Sequence, residues 1–326
     1  MRVVAIVLAI ALGACSPGLP PSAMPRPVGE DLLGLVPSGA ELVVDVDVQQ
    51  LRTWDEIERV LALLPPAGRE RLEKLGPHWM GDIDEIVVGA WRSESRTQSV
   101  MVMRCELDDT KLPALLDGTV TRGEMGGHVM FQAGLEAAVR IGPRLVAVGS
   151  PVEIRRVTEV ARGEEHGFRE ARGDRLLREA LGKAPGARSG KPALIGAAVS
   201  GPLLTDRFEA AGLAGRGPGS VAFALAVGDG IDAVVILALG SPAEAVSLRG
   251  ELDRALRDLK ERPIIRILGL QGALELVSVV RDRDLRIAYR LAGGRLSGYV
   301  DRLDHAKKAL EAARATPPAD VTSPAK

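Results

Sequence analysis

The chain carries one helix-opening tetrapeptide twice, as Ser150-Pro151-Val152-Glu153 and Ser241-Pro242-Ala243-Glu244, each time after a run of short alternating strands. Serine caps the first turn, proline suits the first helical position, and glutamate three residues after the serine completes a capping box. The order of elements around the two starts repeats as well. In the first half, residues 41–48 read as a strand, with Leu42, Val44, Val46 and Val48 on one face and Glu41, Asp45 and Asp47 on the other. A helix follows through Leu51, Trp54, Ile57, Leu61 and Leu64, then strands over 83–91 and 99–107 and a short helix near 109–116. Four hairpin strands over 119–148 lead to the helix that starts at Ser150. The second half offers a strand at 193–199, a short helix at 203–210 and a hairpin around Gly228-Asp229-Gly230. The long helix from Ser241, a short one over 264–268, strands at 273–280 and 285–291, and a last helix through Leu296 and Leu310 complete it.

Strand, helix, two strands, helix, antiparallel strands, helix: that shared order points to an α+β fold of predominantly antiparallel sheets with packed helices, made by duplication of one unit. The expected layout is a first module at 38–162, a charged connecting segment with one helix at 163–190, and a second module at 191–314. A proline-bearing tail, 315–326, has little reason to fold.

The amino terminus constrains location. Arg2 gives a positive start, residues 3–12 are apolar, and Leu12-Gly13-Ala14-Cys15 is a small-residue cleavage site ending in cysteine. The uncharged run falls short of the roughly 20 residues that span a bilayer. Residues 15–37 hold six prolines (17, 20, 21, 25, 27 and 37) and read as an extended tether. Leu12 to Cys15 resembles the lipobox of bacterial lipoproteins, and residues 1–14 the signal peptide before it. The resemblance implies that Cys15 becomes an acylated amino terminus inserted in membrane lipid. Ser16, in place of aspartate, further resembles the outer-membrane choice of the enteric sorting rule, which implies an outer-membrane anchor facing the periplasm. The Val36-Pro37-Ser38-Gly39-Ala40 opening is similar to that of several groups of uncharacterised bacterial envelope proteins, and no activity comes with it.

Hydrophobic residues make up 46% of the 326, enough for a packed core, and 42 basic residues face 43 acidic ones. Between residues 153 and 179 arginines alternate with acids, a mixed solvated surface and not the basic stripe that nucleic acid requires. Lipidation of Cys15 would leave Cys105 as the one thiol, with no intrachain disulfide to form. Cys105 shares a strand face with Met101, Met103 and Leu107, which reads as a small buried hydrophobe.

Motifs of known chemistry are missed at each place they are approached. Residues 186–191 miss a phosphate-binding loop by one position, and Pro192 stands where the magnesium-binding hydroxyl belongs. The glycines at 212, 215, 217 and 219 miss the dinucleotide spacing. His78, His128, His166 and His305 have no second ligand at metal-binding spacing. The expectation is therefore no catalytic residues, no metal and no cofactor. Asp45 and Asp47 are the strongest carboxylate candidates, side by side on one strand face and roughly 6.5–7 Å apart along the chain. Asp82 and Asp84, with Glu85, stand at the entrance of a neighbouring strand and could join them as a cation or ligand site. The simpler reading is that these acids keep an exposed sheet face wet. The leading reading of the whole is a membrane-anchored, non-enzymatic envelope lipoprotein that acts on an envelope protein partner or as an assembly factor. The alternatives are a small-molecule or lipid-binding module and a hydrolase assembled from distant segments.

Overall fold

The structure, a computed structural model, describes residues 31–55, 57–58, 79–93, 96–168, 192–199, 201–210 and 219–315. Residues 1–30 with Cys15, most of the helix expected over 51–64, the helix expected within 163–190, the 186–191 loop and the tail from 316 lie outside these residues.

Among the described residues twelve strands form one antiparallel sheet. They are β1 (Leu42–Asp47), β2 (Ile83–Ser93), β3 (Arg96–Cys105), β4 (Thr121–Met125), β5 (His128–Ala133) and β6 (Glu136–Gly142). The others are β7 (Leu145–Gly149), β8 (Leu194–Val199), β9 (Ser220–Gly228), β10 (Gly230–Ala238), β11 (Leu276–Arg281) and β12 (Asp284–Ala292). Eight helices are described: α1 (Leu32–Leu35), α2 (Val48–Arg52), α3 (Trp79–Asp82), α4 (Pro151–Ala161), α5 (Pro202–Ala210), α6 (Pro242–Lys260), α7 (Pro263–Ile267) and α8 (Gly293–Ala315). The helix expected near 109–116 is a 3-10 turn, Leu112–Leu115, and a second such turn, Gln271–Leu274, takes the start of the strand expected from 273.

Across the sheet the order is β11-β12-β10-β9-β8-β1-β2-β3-β7-β6-β5-β4. The halves meet where β1 pairs antiparallel with β8, Val44 opposite Gly196. Outward from that seam the first half runs β1-β2-β3-β7-β6 and the second β8-β9-β10-β12-β11, with the β4–β5 hairpin extending the first. The two Ser-Pro-x-Glu starts do not occupy matching places in this order. α4 follows the last strand of its half, whereas α6 follows the third strand of its own. Both are helix starts for local reasons: Ser150 and Ser241 each accept the N–H of the glutamate three residues on, at 3.3 Å.

Helices cover the sheet from both sides. On one face Leu32, Leu33 and Leu35 of α1 and Ile154 and Val157 of α4 pack over Val43, Val87, Val102 and Ala147. The folded body thus starts ahead of the boundary expected at residue 38. On the other face the α6 stripe Ala245, Leu248, Leu252 and Leu256 covers Val235, Leu237, Leu285 and Ile287. Val46, Ile83, Met103 and Cys105 fill that face in the first half under Leu112. Each of the buried Val, Leu, Ile and Met side chains contributes about 1.5–3 kcal/mol when removed from water. Residues 36–38 pair with 166–168: Ser38 N donates to His166 O (2.9 Å) and Phe168 N to Val36 O (2.7 Å), which buries Phe168. A side chain at Gly167 would run into the Gly34 carbonyl, so this crossing requires glycine.

Candidate functional site

The four candidate aspartates separate into different environments. Asp45 is 1% exposed and faces the side of β1 that bears Val43, opposite Val87 of β2 and Ile195 of β8. Asp47, also buried, stands opposite Glu85, and Glu85 stands opposite Arg104 of β3, whose Nε lies 3.3 Å from Glu85 Oε2. A row of acid, acid and base therefore crosses three strands, both acids buried and the base partly exposed, with Asp45 next to it. The expectation of a wet face is wrong, and the reason is topological. Alternation along a strand tells which side chains share a face, not whether another layer covers that face. β1 is sixth from one rim of a twelve-stranded sheet and is packed on both sides.

A buried charge is costly unless hydrogen bonds or an opposite charge compensate it. Asp47 meets this by capping α2: its Oδ1 accepts the Gln50 N–H at 2.8 Å. Glu85 meets it through Arg104.

Asp82 and Asp84 do not join this row. The ladder slips between Ile83 and Glu85, leaving Asp84 as the extra residue of a bulge. Its carboxylate takes Gln49 Nε2 at 2.8 Å, Arg52 Nη2 at 3.4 Å and Arg144 Nη2 at 2.5 Å, fastening α2 and the start of β7 to β2. Asp82, the last residue of α3, accepts from Lys111 Nζ at 2.7 Å, a bond that raises the pKa of that ammonium. Among the described residues no group of three or more His, Cys, Asp or Glu could hold a metal ion. His128, His166 and His305 fall on β5, the segment after α4, and α8. Cys105 is buried on β3, and burial pushes its thiol above the ordinary range.

A second polar cluster escapes sequence reasoning. Glu153, read as half of a capping box, is 2% exposed and turns its carboxylate to the sheet. Arg156 Nη1 lies 3.6 Å from Glu153 Oε2, its guanidinium stacks 5.3 Å from the centre of the Trp91 ring, and Nη2 pairs with Glu165 Oε1 at 2.6 Å. Trp91 Nε1 donates to Gln98 Oε1 at 3.1 Å. Burial pushes the Glu153 carboxyl above the usual carboxylate range, against the opposing pull of Arg156. At α6 the matching Glu244 stays exposed and reaches back over the helix start, where its Oε2 accepts Gly240 N at 3.1 Å and its Oε1 accepts Ser241 Oγ at 3.2 Å. What distinguishes the two glutamates is burial: Glu153 lies under the Arg156–Trp91 stack against β2, a neighbour in space that local sequence does not reveal, whereas Glu244 is exposed.

One rim of the sheet is also unusual. β4, at one end of the order, is guarded by Arg122 and Glu124 around Gly123. β11, at the other end, exposes Val277 (65%) and Val279 (43%) on one face while α6 covers its opposite face, where Ser278 Oγ donates to Asp253 Oδ1 at 3.4 Å. Charged or proline-bearing rims discourage pairing with other chains, and β11 lacks both between Leu276 and Val280.

No family model matches this chain, and no curated protein does. Among solved structures it is similar to a protein named TP0453. Crystal form III of that protein gives a TM-score of 0.49 at 12% identity, over 86% of this chain and 99% of the other. Crystal form I gives 0.46 at 12% identity over 86% and 98%, and crystal form IV gives 0.48 at 12% over 82% and 95%.

Proposed function

We propose that this chain is a lipid-anchored protein of the bacterial envelope, held by acylated Cys15, whose body acts through protein contacts or as an assembly factor. The anchor rests on the Met1–Cys15 pattern, and outer-membrane placement facing the periplasm on Ser16. No described helix is long and apolar enough to cross a membrane. The observation that carries the contact reading is the bare apolar rim at β11, with Ile264 and Ile267 of α7 exposed on the helix next after α6. Photo-crosslinking residues placed at 267 and 277 in cells, with Cys15→Ser as the anchor control, test both parts. Membrane-dependent protein adducts are expected. Adducts to lipid alone, or none, would refute the contact reading, and an unmodified Cys15 in the membrane-bound chain would refute the anchor.

The matching strand orders support a further part of this proposal, that the halves arose by duplication of one strand-and-helix unit. Superposing 191–314 on 38–162 should lay β8, β9, β10, β12 and β11 on β1, β2, β3, β7 and β6. Opposed strand directions or a register that swaps the two faces would contradict common origin.

A further inference from the structure

We propose that β11 pairs antiparallel with β11 of a second copy of this chain, about a two-fold axis through Ser278. The inference rests on the contact reading above and names the partner. Four exposed residues follow this rim at alternate positions, Glu275, Val277, Val279 and Arg281. Glu275 is the extended residue leading into the strand, and its carboxylate lies 4.0 Å from Arg295 Nη1 of α8, with both side chains exposed and free to exchange partners. Acid, apolar, apolar, base is a self-complementary sequence when read antiparallel. A two-fold axis at Ser278 sets Glu275 against Arg281 of the other copy at both ends and Val277 against Val279 twice in the middle. Each charge then meets its opposite, and each bare valine meets a valine, the cross-strand pairs that stabilise sheets.

The backbone fits the same partner. A rim strand holds unpaired N–H and C=O groups on alternate residues, and an antiparallel copy satisfies them. The helices also fit. α6 lies over β11 and β12, so strands about 4.8 Å apart across the axis would hold the two α6 helices about 10 Å apart, an ordinary helix-packing distance. Because the axis makes the contact isologous, pairing stops at two copies, and the charged β4 rims remain outermost.

The test uses the full chain, with Glu275→Arg and Arg281→Glu made separately and followed by sedimentation velocity over about 1–100 µM. The wild type is expected to dimerise with rising concentration. Each variant alone should bind itself about tenfold or more weakly, since both symmetry-related charge contacts turn repulsive. An equal mixture of the two variants should regain wild-type association, because every end then meets an opposite charge on the other chain. As a check of register, Val277→Cys and Val279→Cys in a Cys15→Ser background should form an intermolecular disulfide when mixed and much less when separate. A monomeric wild type, unaffected variants or a mixture no better than its parts would each overturn the proposal. A monomeric chain that still gives protein adducts in the envelope overturns self-pairing and leaves the contact reading standing.

Discussion

The seam between the halves depends on a glycine. Gly196 of β8 lies between Val44 of β1 and Phe223 of β9, and the Phe223 ring folds over it. A methyl group at 196 would stand 2.7 and 2.9 Å from ring carbons Cε1 and Cε2, and closer still to the ring tip. Ordinary carbon contacts lie near 3.5–4.0 Å, so the ring must retreat by about 1 Å in a buried layer. Gly196→Ala would otherwise stabilise the strand by about 0.5–1 kcal/mol, through lost freedom of the unfolded chain. Overpacking costs about 1–3 kcal/mol, which leaves a net loss of up to about 2.5 kcal/mol. Phe223→Leu alone should cost about 1–2 kcal/mol for the ring contacts it removes. In the double variant the shorter side chain leaves room for the methyl, so the two losses should fall short of additive by about 1 kcal/mol or more. Urea unfolding of the four proteins, followed by far-ultraviolet circular dichroism, measures this coupling. A stabilising Gly196→Ala, or strictly additive losses, would show that the ring does not press on the glycine.

Three other outcomes are expected. Asp47→Ala should lose about 1 kcal/mol by removing the cap of α2, whereas Asp47→Asn, which can still accept the Gln50 N–H, should lose less; equal losses in thermal melts would count against the cap. Glu153→Gln bears on pH: the folded carboxyl has a raised pKa, so wild-type stability is greatest while Glu153 is protonated and falls as pH rises through its folded pKa. The variant should therefore melt higher than wild type near pH 7–8 and converge with it below the ordinary carboxylate range, and a gap that widens in acid would invert the argument. Cys105, buried and with a raised thiol pKa, should react with iodoacetamide only as fast as the sheet opens; a rate insensitive to denaturant would place the thiol at the surface.

Local chemistry was readable from the chain wherever it is decided locally. The capped starts of α4 and α6, the double-glycine turn at 126–127 with both residues at positive φ, and the β9–β10 hairpin all follow from a few adjacent residues. Layering was not readable, because it depends on partners far along the chain. The aspartates of β1 have the alternation of a half-wet strand, and only the pairing of Val46 with Leu194 places them at the centre of the sheet. The same distance hides the stacking of Arg156, the ion-pair partner of Glu153, on Trp91, and hides that the repeated serine-proline starts mark unlike positions. Of the candidate carboxylates, Glu85 was the one to group with Asp47, and a bulge that no adjacent residue announces diverts Asp84 away.

The central seam has a consequence in time. β1 is the first described strand in chain order and so the first to reach the compartment where the body folds, yet its second neighbour, β8, follows only after the whole first half. Through that interval β1 is a rim strand, open to pairing with any other extended chain, and such waiting rims are where nascent proteins aggregate. Asp45 and Asp47 sit on this strand, and a charge that must be buried by any intruder is a known way of keeping a rim unpaired. The carboxylates that look misplaced in the finished core are therefore best placed in the unfinished one, where they reserve the seam for the half still to come.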